Sequence, residues 1–138
     1  MTEGRDERGD AVIEFIGVAV VVIIPLVYLI LTCAVLQAGT LAVHSGAREA
    51  ERILRVNPRD VEAASVSAHQ ILADQGLSSG ATVHLECPSG CEGGRIGTVT
   101  VTTSVPLPLI PSFIRAVVPT DVSVSAQAAV VFAPEVDP

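Results

Sequence analysis

The sequence predicts an α+β protein in which a long N-terminal helix crosses a membrane and carries a small domain, with a second helix packed on a three-stranded antiparallel sheet. Three observations lead to this prediction. An apolar run of 26 residues extends from Ala11 to Leu36. A later stretch repeats its apolar residues at helical spacing, and three further segments alternate apolar and polar residues. At 138 residues, the chain has room for one compact domain besides the apolar run.

The run from Ala11 to Leu36 is long enough to cross a bilayer as a helix, because about 20 apolar residues suffice. Its single charge, Glu14, stands near its N-terminal end. The run is longer than the apolar part of a secretory signal and no small-residue cleavage site follows it, so we expect it to be retained. Pro25, in the middle, predicts a bend because proline removes one backbone hydrogen bond.

The residues before the run have the layout of a type IV prepilin leader. A short charged segment ends at Gly9, and Glu14 is the fifth residue after it. Glycine lets a peptidase approach the backbone closely, and cleavage there would leave a new α-amino group on Asp10. A carboxylate in a membrane helix is costly, so Glu14 is expected to pair with the free amine of a neighbouring subunit and set the register between helices. The alternative is that Glu14 reaches water and pairs with nothing.

Four segments in order carry a resemblance to a known family: Ala11–Phe15, Ile24–Leu29, Val35–Gly39 and Ala47–Ala50. The stretch that contains them, from Gly9 to Leu54, resembles TadE-like proteins of the tight-adherence (Flp) pilus system, particularly actinobacterial ones. The resemblance covers roughly the first third of the chain. It implies a minor pilin or pseudopilin that is processed by a prepilin peptidase, with Gly9 before the scissile bond, Asp10 after it and Glu14 as the helix carboxylate.

The helix is expected to continue beyond the membrane as a stalk. Val43, Ala47, Ala50 and Leu54 recur at helical spacing, and Glu51 and Arg55 form an i, i+4 pair. A row of small residues every four positions predicts a face that lets two helices approach closely: Ala34, Ala38, Ala42, Gly46 and Ala50. The alternatives are a chance register of alanines, or a groove that the protein's own domain fills. The chain thus divides into a leader (1–9), a transmembrane and stalk helix (10–56) and a small domain (57–138).

The second helix is predicted to begin with Asn57 as N-cap, Pro58 at the first helical position and Asp60 in the first turn, and to end near Gln75 and Gly76. Three alternating segments supply the sheet. Their core-facing residues are Ala81, Val83 and Leu85 in the first, Val99, Val101 and Val105 in the second, and Val122, Val124, Ala126 and Val130 in the third. Thr98, Thr100, Thr102 and Ser104 are expected on the opposite face.

A proline-bounded apolar stretch, from Pro106 to Pro119, separates the last two strands and is expected to hold one short helix over Ser112–Val118. Two roles are open for it. It caps the small core, which is the preferred interpretation, or it contacts the membrane surface or a partner.

Cys87 and Cys91 are separated by Pro88, Ser89 and Gly90, which favour a tight turn. We predict a disulfide between them in an oxidising compartment. The alternative is a zinc site formed by the two cysteines with His84, with or without His69, but no second Cys or His pair stands at the usual spacing. Cys33 lies in the apolar run and is interpreted as a small apolar residue.

Composition and motifs exclude several functions. The net charge is −7 and basic residues are scattered, so nucleic-acid binding is not expected. No nucleophile elbow, phosphate-binding loop or helical metalloprotease motif occurs, so we expect neither an enzyme nor a cofactor.

We therefore expect a minor pilin or pseudopilin in the cell membrane, with its N-terminus cytoplasmic and its domain extracytoplasmic. Arginines flank the apolar run on both sides, so orientation depends on the leader and the cysteine pair. The partners implied are a prepilin peptidase, other pilins or TadE/TadF-like minor pilins, the inner-membrane assembly platform and membrane lipid. The alternative is an unprocessed single-pass adaptor with an extracytoplasmic interaction domain.

Overall fold

The computed structural model describes residues 6–77, 80–110, 113 and 115–134, with side chains described from residue 9 onward. Its elements are α1 (Asp6–Val56), α2 (Val61–Asp74), β1 (Thr82–Glu86), β2 (Ile96–Pro106) and β3 (Asp121–Val131). The strands form one antiparallel sheet in the order β1-β2-β3. The predicted α+β fold of a long helix, a second helix and a three-stranded sheet is confirmed.

Helix α1 is a single helix of 51 residues that passes through Pro25 without interruption. At a rise of roughly 1.5 Å per residue it is about 75 Å long, far longer than the domain needs. Its N-terminal half is exposed over nearly all its surface, whereas from Gly39 onward one face is buried. The two halves therefore have different environments, and only the second belongs to the folded domain.

The start of α2 corrects one prediction. Asp60, and not Asn57, is the N-cap, since its carboxylate accepts a hydrogen bond from the backbone N–H of Ala63. Asn57 accepts instead from the backbone N–H of Arg59, so it shapes the turn between the helices, and Pro58 lies in that turn. Asn and Asp serve equally well as N-caps, so spacing alone did not decide between them.

The C-terminal end of α2 agrees with the sequence. Gly76 has a left-handed backbone with φ of 77°. The N–H of Leu77 donates to the carbonyl oxygen of Leu72, and that of Gly76 to the carbonyl oxygen of Ala73. This is the usual glycine-terminated helix end, in which a glycine adopts the conformation that other residues resist.

Both helices pack on one face of the sheet, and the alternation of β2 explains why. Val99, Val101 and Val105 are fully buried, while Thr98, Thr100, Thr102 and Ser104 are half-buried on the other face. The core that results is small and is built from Val, Ala and Leu, with Phe132 as its one aromatic residue among those described. Val122 departs from the prediction because it lies at the end of the sheet, where it is partly exposed.

Thr103 is a polar residue on the buried face of β2. It is 2% exposed, and within the described structure its Oγ1 has no hydrogen-bond partner. Replacing it with valine keeps the shape and removes the unsatisfied hydroxyl, so we expect Thr103→Val to raise the free energy of unfolding by about 1 kcal/mol. Urea unfolding of the full chain in detergent micelles measures this. Thr100→Val, on the opposite face, is the control, and a loss of stability in Thr103→Val would contradict the expectation.

Candidate functional site

The N-terminal half of α1 presents an apolar surface that the domain does not cover. Among the described residues, α1 is the one helix long and apolar enough to cross a membrane, and none of its most apolar 18-residue stretch is buried. Large apolar side chains are exposed in an almost unbroken series from Val12 to Leu31. Such a surface is stable in lipid and not in water, so α1 has the properties of a membrane anchor.

Gly9, Asp10 and Glu14 all lie in the first turns of α1 and are exposed. A Cβ added at Gly9 would meet no atom within 4 Å, and the backbone there is not left-handed. Neither packing nor conformation therefore requires glycine at this position, although glycine is a poor helix former.

Asp10 and Glu14 are four positions apart and so lie on the same side of the helix. Within the described part of the chain, no basic side chain forms an ion pair with Glu14. A carboxylate one turn inside an apolar helix is thus left without a partner from its own domain. This arrangement is compatible both with a partner in a second subunit and with a carboxylate that reaches water.

The row of small residues on α1 is divided by the domain. Ala42, Gly46 and Ala50 are buried, and a Cβ at Gly46 would lie 3.0 Å from Leu72 Cδ1. The protein's own domain therefore fills this part of the groove, as one of the alternatives proposed. Ala34 and Ala38, nearer the membrane, remain exposed.

Gly39 is a contact that the sequence analysis missed. It is buried, and a Cβ added there would lie 2.6 Å from Val105 Cγ2. The end of β2 thus lies directly on the helix backbone. The sequence did contain one indication of this contact. Glycine lowers the stability of a helix, so a glycine inside one suggests close packing at that position.

The distal end of α1 carries two ion pairs. Arg55 donates to Glu51, which confirms the predicted i, i+4 pair, and Arg52 donates to Glu49. The hydrogen bond from Arg52 holds the pKa of Glu49 below its ordinary value. All four side chains belong to the solvated stalk, so the pairs support the helix and contribute little to overall stability.

Cys87 and Cys91 form the predicted disulfide, with their Cα atoms 5.3 Å apart. The intervening turn depends on Gly90, whose φ is 97°. Both sulfurs are bonded to each other and so are not metal ligands, and in the described residues no three His, Cys, Asp or Glu side chains are grouped to hold a metal ion. The disulfide lies at the end of β1 farthest from the membrane helix's exposed half, while Cys33 is a free, exposed thiol on α1.

The loop between β2 and β3 is described at residues 107–110, 113 and 115–120, which are called here the β2–β3 loop. Part of this loop lies against the apolar half of α1 and not over the core. Leu107, Leu109, Ile110 and Val118 form one wall of an apolar groove, and Ile24, Pro25 and Tyr28 of α1 form the other. The predicted helix over Ser112–Val118 falls partly on Ser112 and Ile114, which lie outside the described residues. The described members, Phe113 and 115–118, form turns and a bend.

The chain thus carries an exposed apolar helix whose Glu14 has no ion-pair partner among the described residues. At the other end of that helix lies a small domain that contains one disulfide-closed turn. Comparisons with models of protein families, with curated proteins and with solved structures gave no match to this chain.

Proposed function

We propose that this protein is a minor pilin or pseudopilin of a tight-adherence (Flp-type) pilus or a related secretion machine, with no enzymatic activity of its own. The observation that carries the proposal is the junction on α1. Gly9 has room for a side chain, Glu14 follows five residues later without an ion-pair partner among the described residues, and none of the most apolar stretch beyond is buried. Together these features fit a processed helix that packs among other helices.

In the proposed mechanism, a prepilin peptidase cleaves between Gly9 and Asp10 and creates an α-amino group at the end of α1. That amine carries a positive charge, and Glu14 supplies the opposite charge inside an apolar environment. A pair between the two on neighbouring subunits offsets the cost of placing a carboxylate in lipid. It also fixes the axial register of the packed helices, because the amine of one helix meets Glu14 of the next at only one relative position along the helix axis.

The same proposal assigns roles to the rest of the chain. The exposed small residues Ala34 and Ala38 allow close approach of another pilin or a TadE/TadF-like minor pilin to the membrane-proximal part of α1. The domain lies outside the cell membrane, which the disulfide between Cys87 and Cys91 favours because such bonds persist in oxidising compartments. The inner-membrane assembly platform would contact the cytoplasmic end.

The Glu14→Leu variant tests the carboxylate. It should insert into the membrane as well as the unchanged chain does, while pilus assembly falls about tenfold or more, because one charge-assisted pair contributes on the order of 1.5–3 kcal/mol. Counting of pili by electron microscopy, with membrane fractionation, measures both effects. Glu14→Asp is the matched control, since it keeps the charge. Normal piliation in Glu14→Leu would contradict this role.

An unprocessed single-pass adaptor is the second candidate, and one observation favours it. Helix α1 begins at Asp6, so the peptide bond after Gly9 lies inside a regular helix. A peptidase must unwind this turn before it can cleave, whereas an adaptor would keep it. In that case Gly9 is an ordinary residue of the anchor and Glu14 pairs with nothing.

A further inference from the structure

The apolar groove between α1 and the β2–β3 loop has a volume of about 450 Å³. Its walls are apolar except for the hydroxyl group of Tyr28. Two further apolar side chains of the loop are largely exposed to solvent, Phe113 at 79% and Val117 at 85%. The domain therefore exposes apolar side chains on the same loop that lines the groove against α1.

The depth of the groove in the bilayer follows from the helix. A hydrocarbon core of about 30 Å takes about 20 helical residues, and every stretch of that length within 11–36 includes residues 24–28. The groove is least deep when residues 11–30 of α1 span the hydrocarbon layer. Even then, Ile24 lies about 9 Å and Tyr28 about 3 Å inside the outer surface of that layer. The loop residues that contact these side chains therefore lie at the same depth, inside the apolar layer.

The backbone at Leu109 supports an apolar environment independently. Its φ is 58°, the left-handed conformation that glycine and asparagine adopt readily and leucine does not. Its side chain is nevertheless 69% exposed. A large apolar residue in a strained turn, directed away from the core, is unfavourable in water. Strained backbone positions are concentrated at functional sites, so the conformation of Leu109 is consistent with a role of its side chain outside the fold.

The charges near the loop match a position at the membrane surface. Arg115, the one charged residue of the β2–β3 loop, donates to the carbonyl oxygen of Ile110 and has a long side chain that can reach lipid phosphates. Asp121 begins β3 opposite Pro106, next to Val105, which contacts Gly39. When the hydrocarbon layer spans residues 11–30 of α1, Gly39 lies outside that layer. The Asp121 carboxylate, at the same height as Gly39, therefore remains in water while the apolar part of the loop lies in the hydrocarbon.

We propose that the β2–β3 loop is a second membrane element, which inserts its apolar side chains into the outer leaflet beside α1, so that lipid acyl chains fill the groove. The inference requires α1 to cross the bilayer, as the proposed function does, but neither processing nor pilus assembly. Its consequence is that the domain is held at the membrane at two points and has a fixed orientation. Insertion of about 5–10 Å is the depth typical of interfacial elements.

The chain contains no tryptophan, so single substitutions create unique fluorescence reporters. Phe113→Trp and Val117→Trp report on the loop. Val27→Trp in α1 is the reference for a tryptophan surrounded by lipid acyl chains. Ile96→Trp, 62% exposed at the opposite end of β2, is the water-exposed reference. The full chain, with its disulfide intact, is reconstituted into phosphatidylcholine vesicles with or without bromine atoms on the acyl chains.

The expected result is that Phe113→Trp and Val117→Trp show blue-shifted emission and lose intensity in brominated lipid as Val27→Trp does, while Ile96→Trp is quenched by iodide only. Loop reporters quenched by iodide alone, with Val27→Trp still quenched by lipid, would overturn the loop insertion and leave the anchor standing. Loop reporters shielded from both quenchers, increasingly so at higher protein-to-lipid ratio, would assign the groove to a second copy of this chain. Failure of Val27→Trp as well would overturn the anchor itself.

Discussion

Replacing Phe132 with alanine is expected to lower the free energy of unfolding of the domain by about 3–5 kcal/mol. Phe132 follows β3, is 1% exposed and fills the end of a core otherwise made of small aliphatic residues. Its ring lies so close to Gly97 that a Cβ there would be 3.0 Å from Phe132 Cζ. Because domains of this size have about 5–15 kcal/mol of stability, the loss would remove a large part of it.

Ile96→Ala is the control, since it truncates an apolar side chain of the same sheet that is 62% exposed. We expect a change in stability within about 0.5 kcal/mol for this variant. Urea unfolding of both variants in detergent micelles, followed by far-UV circular dichroism, makes the comparison. Equal effects of the two substitutions would contradict a large contribution of Phe132 to the stability of the core.

Gly39→Leu is expected to cost about 1–3 kcal/mol through overpacking, or more if β2 separates from the helix. Even a Cβ at this position would lie 2.6 Å from the fully buried Val105. Since leucine is a better helix former than glycine, the loss would come from tertiary packing and not from the helix. The membrane-proximal end of the sheet would be the first part to detach.

Gly17→Leu is the control for this prediction because Gly17 belongs to the same helix and a Cβ there meets no atom within 4 Å. It should leave the unfolding midpoint unchanged. Hydrogen exchange of the β2 amides, measured for both variants, should show faster exchange near Val105 in Gly39→Leu alone. Slow exchange at Val105 in Gly39→Leu would mean that the helix and the sheet do not depend on this contact.

Much of the fold follows from periodicity in the sequence. The alternation of β2 places valines at every second position, and burial of that face selects one register for the whole strand. The apolar spacing of the stalk continues without a break from the membrane run, so one helix is predicted and found. The disulfide was predictable because only a short turn separates Cys87 from Cys91.

Other features depend on contacts between distant segments, and local patterns do not contain them. The alternation of β2 puts Thr103 on the buried face, but nothing near it in the sequence indicates that its hydroxyl will lack a hydrogen-bond partner. Nothing near Gly39 indicates that β2 will lie on it. The position of the β2–β3 loop is of the same kind. Its apolar residues suit a core cap as well as a membrane contact, and only the antiparallel path of β2 back along α1 brings them to Pro25.

Glu14 is the residue to which the pilin and the adaptor assign different roles. Its carboxylate has no partner among the described residues of its own chain, and the amine that we propose for it exists only after cleavage. Before cleavage, the adaptor and the pilin have the same structure and the same contacts. They differ in one covalent bond, between Gly9 and Asp10.

The most direct test is the N-terminal residue of the protein isolated from membranes of cells with and without prepilin peptidase. Intact mass and N-terminal peptide sequencing identify it. The proposal predicts a chain that starts at Asp10 when the peptidase is present and retains its leader when the peptidase is absent. A chain that starts at Met1 or Thr2 in both strains would contradict processing and make the unprocessed adaptor the leading function.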